Sequence, residues 1–141
     1  MTTLEGSAFS KCRNLTGITL SDNLAAIPEM AFWQCSSLES VSIPGTVASI
    51  ENSAFTLCDS LTRIEVSDDN PAFSSRDGVL FDKAQTYLIQ RPQGRTGGYT
   101  IPETVTTIGS YAFVDCPGLR TMSIPASVTT ISPFAFQSCF D

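Results

Sequence analysis

The chain contains no histidine among its 141 residues. Histidine is the most common general base in enzymes, the usual partner of serine and cysteine nucleophiles, and a frequent metal ligand. Its absence excludes Ser-His and Cys-His nucleophile pairs and histidine-bound metals. We therefore expect a protein that is not an enzyme, with no catalytic residue, no metal and no cofactor.

Charged residues are also scarce, at 16%, and they sum to a formal net charge of −6. An acidic surface repels nucleic acid and anionic lipid, so we expect neither as a partner. No apolar run approaches the roughly 18 residues that a spanning helix needs, which predicts no membrane insertion. No charged-then-apolar segment precedes Leu4, and we therefore expect no signal segment in this chain.

The chain is rich instead in copies of one short motif, Ala-Phe-x-x-Cys. The copies follow one another at spacings of 23, 23, 58 and 23 residues, and they begin at Ala8, Ala31, Ala54, Ala112 and Ala135. A unit of this length cannot bury its own apolar face and must stack on its neighbours. The spacing predicts one solenoid domain over residues 1–141, with about five stacked repeats.

All five cysteines occupy the same position of the repeat, at Cys12, Cys35, Cys58, Cys116 and Cys139. A disulfide framework has an even count with irregular spacing, and a zinc site has close Cys-x-x-Cys pairs. Neither pattern is present. A column of cysteines about 4.8 Å apart is close enough for a disulfide by Cα separation alone. The pattern nevertheless favours small buried hydrophobic residues, because free cysteine packs as one.

Each repeat also predicts its own local structure. The segment Leu38-x-x-Val41-x-Ile43 alternates and stops at Pro44, which is typical of a short strand. The segment from Val47 to Ile50 predicts a second extended stretch or a tight bend. A spacing of three brings the Phe and Cys of each motif to one side, which favours a helical or 3₁₀ turn. The fold class expected is an α/β solenoid with short parallel strands and helical or 3₁₀ turns.

Residues 67–100 interrupt the repeats, since the spacing of 58 is one period of 23 plus 35. Two β-prone runs, 78–81 and 87–89, predict an inserted β-hairpin that projects from the solenoid. Arg91 and Arg95 are interpreted as solvated surface charges. A calcium site is an alternative interpretation of the polar residues here, although their spacing matches no known loop; its ligands would be Asp68, Asp69, Asn70 and Asp77.

The complete repeat reads Ile-x-x-x-Ala-Phe-x-x-Cys-x-x-Leu-x-x-Ile-x-Ile-Pro-x-x-Val-x-x-Ile. It resembles the leucine-rich repeats of the BspA type, also called the Treponema pallidum type, which occur in bacterial surface proteins. The resemblance implies a right-handed, curved solenoid with a parallel sheet on its concave wall. It also implies an extracellular or cell-surface location and adhesion to a protein or glycan, including host extracellular matrix.

We therefore expect a non-catalytic adhesion or interaction module with two candidate binding surfaces. The first is the outward side of the strands, and the second is the inserted hairpin; a single tryptophan adds a third candidate contact. The partner-binding residues predicted in this way are Thr19, Ser42, Arg63, Glu65, Thr100, Ser123, Phe81, Tyr87 and Trp33. The alternative function is a structural stalk or a self-associating solenoid that pairs end to end through Leu4, Ala135, Phe136 and Phe140.

Overall fold

The computed structural model describes residues 1–139; Phe140, one of the residues predicted to pair end to end, lies outside them. Short strands joined by turns make up this part of the chain, and it contains no helix. The strands are β1 Gly17–Thr19, β2 Ala26–Ile27, β3 Ser40–Ile43, β4 Ser49–Ile50, β5 Arg63–Val66, β6 Phe73–Arg76, β7 Val79–Asp82, β8 Tyr87–Gln90, β9 Gly97–Thr100, β10 Thr107–Ile108, β11 Leu119–Ser123 and β12 Thr130–Ile131.

The strands stack in the register that the 23-residue period predicts. In the sheet β1-β3-β5, Ile18 lies beside Val41 and Val41 lies beside Ile64, with all three strands parallel. A second row of short parallel pairs, such as β2 with β4, forms a lateral wall on which Ile27 lies beside Ile50. Each turn of the solenoid, here called a coil, therefore lies directly on the next. The predicted solenoid with short parallel strands is confirmed.

The prediction of helical or 3₁₀ turns at the Ala-Phe-x-x-Cys motifs is wrong. Every second N–H does bond three residues back, as from Trp33 to the carbonyl of Met30 at 3.1 Å. The N–H groups between them bond to the next coil, as from Phe32 to the carbonyl of Ala54 at 2.9 Å. In a 3₁₀ helix, all of these N–H groups would bond to carbonyls three residues back, within the helix itself. The spacing of three is correct for the side chains, but the backbone also has to join neighbouring coils.

This alternation requires left-handed backbone at two positions of each repeat. The residues before Ala and before Cys have positive φ angles of 48 to 64° in all five motifs, at Ser7, Lys11, Met30, Gln34, Ser53, Leu57, Tyr111, Asp115, Phe134 and Ser138. Non-glycine residues pay roughly 1–2 kcal/mol each for this conformation. The recurrence of the conformation in every coil shows that the hydrogen bonds between coils offset that cost.

The core consists of columns that run along the solenoid axis. The rings of Phe9, Phe32 and Phe55 stack with centroids 5.4 Å apart at each step. All the cysteines are unpaired thiols, and each of them except the exposed Cys12 is buried. The Cys58 thiol donates to the carbonyl of Phe32 at 3.1 Å, so this slot holds a hydrogen bond between coils as well as a packed side chain.

The insertion forms a three-stranded antiparallel unit, β6-β7-β8, of which β7 and β8 are the predicted hairpin. The expectation that this hairpin projects from the solenoid is wrong. Leu80, Phe81 and Leu88 are fully buried, and β8 pairs in parallel with β10, placing Leu88 beside Ile108. The apolar side chains of the insertion are more stable when buried. They become buried because β8 occupies the place of a strand in the lateral wall.

The insertion also places an arginine in the phenylalanine column. The N–H of Arg91 donates to the carbonyl of Ala112 at 2.8 Å, as the N–H of Phe32 does to Ala54. Arg91 is only 1% exposed, so its interpretation as a solvated charge is wrong. Its guanidinium donates to the carbonyl of Arg95 at 3.0 Å. Backbone carbonyls thus hold a cation where the other coils have a phenyl ring.

Candidate functional site

The outward side of β1, β3 and β5 forms one polar surface. We call it the polar wall, and it consists of Gly17, Thr19, Ser40, Ser42, Arg63 and Glu65. Thr19, Ser42 and Glu65 lie side by side across the three strands, and all three are exposed. Their inward neighbours fill the core, because successive side chains of a strand point to opposite faces. The structure thus brings four of the predicted binding residues together: Thr19, Ser42, Arg63 and Glu65.

A groove of about 860 Å³ runs from the polar wall onto the loops that follow its strands. Its lining includes Glu65 together with Asp22, Asp68 and Asp69. Gly45 allows this arrangement, because a Cβ there would lie 2.5 Å from Oδ1 of Asp69. The groove therefore carries four carboxylates along a floor of threonine and serine hydroxyls. Arg63 pairs with one of them, Glu65, at 3.7 Å, and the other three give the groove a negative potential.

The polar wall does not continue to the remaining predicted positions. Thr100 and Ser123 lie beside each other on a separate two-stranded sheet, β9-β11. The turn at Asp77 and Gly78 comes between the two sheets, since the N–H of Ile64 donates to the carbonyl of Gly78 at 2.9 Å. The sequence pattern predicts one continuous wall, and the insertion divides it in two.

The two predicted contacts from the insertion have different positions in the structure. Phe81 is 0% exposed, so the expectation that it contacts a partner does not hold. Tyr87 is 37% exposed, but it lies on the lateral wall with β10 rather than beside the polar wall. The insertion thus contributes buried side chains to the core and one strand to the lateral wall. Of its two predicted contacts, only the ring of Tyr87 is exposed.

Trp33 lines a second cavity, of about 440 Å³, which the sequence does not anticipate. Its ring is half-buried, and Nζ of Lys11 lies 5.3 Å from the ring centroid. The cavity extends to Tyr111 and Asp115, two residues that follow the insertion. One feature of the sequence does relate to this cavity, namely the number of residues between the lateral strand of a coil and its position in the phenylalanine column. Leu88 and Arg91 are three apart, whereas Ile108 and Phe113 are five apart.

The structure removes Asn70 from the calcium ligands considered for the insertion, because both polar atoms of its side chain are already hydrogen-bonded. Its Nδ2 donates to the carbonyls of Pro44 and Val47, both at 2.9 Å. Its Oδ1 accepts from the N–H groups of Ala72 and Phe73, both at 2.8 Å. Asn70 is fully buried and fastens the insertion to the preceding coil. Within residues 1–139, no cluster of three or more histidine, cysteine or acidic side chains is placed to hold a metal ion.

Burial favours the neutral form of several thiol, phenol and carboxyl groups. Burial raises the pKa of the Cys58 thiol to about 12 and that of Cys116 to about 11. Burial likewise raises the pKa of the Tyr99 phenol to about 12. A thiol must lose its proton to act as a nucleophile, so these two cysteines are structural groups at neutral pH. Burial also raises the pKa of the Asp115 carboxyl, at the second cavity.

No helix long and apolar enough to cross a lipid bilayer occurs in the described part of the chain.

Sequence comparison places the repeats in a known group. The family described as "BspA type Leucine rich repeat region" matches residues 1–77 and 97–141, in six copies. The unmatched residues, 78–96, all belong to the insertion. Comparison with curated proteins finds no match.

Several solved structures share the fold. The chain is similar to the pneumococcal vaccine antigen PcpA, with 28% identity and a TM-score of 0.73 over 89% of this chain and 38% of that one. A leucine-rich repeat protein from Eubacterium ventriosum has 23% identity and a TM-score of 0.70, over 96% and 48%. A leucine rich cell surface protein from Faecalibacterium prausnitzii has 24% identity and a TM-score of 0.65, over 89% and 39%. The chain spans less than half of each.

Proposed function

The chain belongs to the BspA-type leucine-rich repeat family, and on that premise we propose that it is a non-catalytic interaction module that binds its partner across the polar wall. The partner is a protein segment or a glycan in an extended conformation, and the setting is the surface of a bacterium or its surroundings. The family is typically non-enzymatic, and leucine-rich repeat proteins commonly bind proteins.

One observation carries this proposal: exposed polar side chains lie in register across three strands and open into the acidic groove. Thr19, Ser42 and Glu65 repeat at the spacing of adjacent parallel strands, about 4.8 Å. A row of exposed polar side chains can form many weak hydrogen bonds to one extended ligand. The carboxylates of the groove further favour a partner segment that carries lysine or arginine.

The surface location is part of the same proposal. The similar structures include a leucine rich cell surface protein and a pneumococcal vaccine antigen. Binding of host extracellular matrix is the form of adhesion that we propose to test first.

The test compares two arginine substitutions in solid-phase binding to matrix proteins and mucin glycans. Ser42→Arg places a bulky cation in the middle of the polar wall, and Ser49→Arg places one on the lateral wall. Both serines are exposed strand residues, so the two variants are matched for folding. We expect Ser42→Arg to weaken binding at least tenfold, equal to about 1.4 kcal/mol, and Ser49→Arg to change it less than about twofold.

The opposite outcomes have clear meanings. Equal binding by both variants would contradict the polar wall as the binding surface. Failure of the folded wild-type chain to bind any member of the panel would favour the stalk interpretation. Excising residues 67–100 is not a usable control, because the insertion supplies the buried side chains of Val79, Leu80, Phe81 and Leu88.

We keep self-association as a second candidate function because of one further observation. The last described coil exposes large apolar side chains, with Ile124 at 44%, Ile131 at 51% and Phe134 at 60%. Covering them with a second copy would remove apolar surface from water. Light scattering over a hundredfold range of protein concentration tests this candidate, and a constant monomeric mass would exclude it. In an Ile131→Glu variant, the fraction of any dimer, and with it the average mass, should be lower.

A further inference from the structure

We propose that the cavity of about 440 Å³ lined by Trp33 and Tyr111 binds a neutral saccharide unit. This site is separate from the polar wall and goes beyond the function proposed above. The inference stands on how the cavity arises, on the aromatic rings that line it and on the chemistry of its polar groups.

The cavity exists because the coil formed by the insertion is short. Between its lateral strand and the phenylalanine column this coil has two residues fewer than its neighbours, and its residues 90–93 are all buried. In the coils on either side, the longer segment between the lateral strand and the phenylalanine column extends further outward. Residues 52–56 therefore form one bank of the cavity and residues 111–115 the other.

Tyr111 has one ring face available to this cavity. Its other face stacks on Phe134, with ring centroids 5.4 Å apart and an interplanar angle of 15°. Phe134 belongs to the following coil, so the free face of Tyr111 turns toward the gap that the short coil leaves. Trp33, from the coil that precedes residues 52–56, is the second aromatic residue that lines the cavity. Sugar rings carry patches of C–H groups that pack on aromatic faces, and the free face of Tyr111 suits this contact.

The polar groups of the cavity match the hydroxyl groups of a sugar. Asn52 and Gln137 offer amides that donate and accept, and Glu29 and Asp115 offer carboxylates that accept.

Charge restricts the class of sugar. The described residues that line the cavity include two carboxylates and no lysine or arginine. One cation lies next to this lining, since Nζ of Lys11 is 5.3 Å from the Trp33 ring centroid, and the carboxylates outnumber it. Phosphorylated, sulfated and sialylated sugars would be repelled. The volume lies in the usual range for small-molecule sites, roughly 300–1,000 Å³. A neutral monosaccharide or disaccharide unit is therefore the ligand that this chemistry fits.

The single tryptophan of the chain makes the test direct, because Trp33 is the only source of tryptophan fluorescence. The full chain is titrated with lactose, chitobiose and sialyllactose. We expect a saturable change in emission with at least one neutral sugar and none with sialyllactose.

Two tyrosine variants provide the test and its control. Tyr111→Asn removes the stacking ring, and asparagine tolerates the positive φ angle of 59° found there. Tyr87→Asn removes an exposed ring on the lateral wall, which does not line the cavity. Tyr111→Asn should weaken sugar binding at least about tenfold, because the stacking face is lost. Tyr87→Asn should change it less than about twofold.

Three results would overturn the inference: no saturable change with any neutral sugar up to about 10 mM, equal binding of sialyllactose, or equal loss in the two variants. The polar wall is tested separately by solid-phase binding, and Ser42→Arg should leave the fluorescence titration unchanged. Failure at the cavity and failure at the polar wall are therefore distinguishable.

Discussion

At the residue scale, the stability of the insertion depends on Asn70. Its buried side chain donates two hydrogen bonds to carbonyls of the preceding coil and accepts two from N–H groups of the insertion itself. The sequence Asp68-Asp69-Asn70 is typical of a turn, and its oxygen ligands also permit a metal-binding interpretation. The choice between these interpretations depends on where the carbonyls of Pro44 and Val47 lie, and those residues are more than 20 positions away in the sequence.

We predict that Asn70→Ala lowers the free energy of unfolding by about 2–4 kcal/mol. The substitution leaves the carbonyl of Val47 and two backbone N–H groups without partners, and each such loss is costly. The carbonyl of Pro44 keeps one hydrogen bond, from the N–H of Val47. Urea unfolding followed by circular dichroism measures the effect. The exposed Asn14→Ala serves as control and should stay within about 0.5 kcal/mol of the wild type. A small effect at Asn70 would mean that water replaces its bonds.

At the scale of one element, the Ala-Phe-x-x-Cys turn shows what periodicity can and cannot predict. The spacing correctly places Phe and Cys in the core, because a side-chain spacing of three returns to the same side. It does not reveal that alternate N–H groups leave the turn for the next coil. The resulting left-handed positions carry ordinary residues such as Gln34 and Leu57 instead of the glycine that usually marks them.

We predict that at the left-handed position Gln34 a glycine substitution keeps the stability of the fold and a valine substitution lowers it. With a φ of 59°, Gln34→Gly should match or exceed the wild-type stability by up to about 1 kcal/mol, and Gln34→Val should lose about 1–2 kcal/mol. Thermal unfolding of the two variants tests this. The control is Glu39→Gly, at an exposed position with ordinary backbone, where glycine should cost about 0.5–1 kcal/mol. A valine variant as stable as the wild type would contradict the prediction.

At the scale of the whole molecule, the columns of buried thiols make the solenoid sensitive to alkali. The ordinary thiol pKa is 9.0, and the folded values are about 12 for Cys58 and about 11 for Cys116. The raised values mean that the folded chain keeps its protons longer than the unfolded chain. The stability from burying these neutral thiols is complete below pH 9, and it is lost as the pH rises through 11 and 12.

We therefore predict that the urea midpoint falls more steeply above pH 9 in the wild type than in a Cys58→Ala, Cys116→Ala double variant. The variant starts from a lower midpoint at pH 7, because smaller side chains leave cavities. Its decline toward pH 11 should be shallower, because two of the groups that favour the unfolded state at high pH are gone. Parallel declines would show that the thiols do not control alkaline unfolding.

The repeat architecture could be predicted from the sequence almost completely, and the candidate sites only in part. The 23-residue period correctly identifies the stacked strands and places Thr19, Ser42, Arg63 and Glu65 on one exposed wall. The division of that wall at Gly78 and the cavity beside Trp33 depend on the insertion. The insertion has no repeat to compare with, so its path could not be read from spacing.

The sequence by itself determined that this protein is a stacked solenoid of the BspA type, because every repeat exposes the same apolar slots and only another repeat can cover them. The tertiary structure alone decided the hydrogen bonding of the turns, the burial of Phe81 and Arg91, and the position of the second cavity. These features depend on contacts between distant segments. Within residues 67–100, burial of apolar side chains against the coils outweighs the local preference for a projecting hairpin.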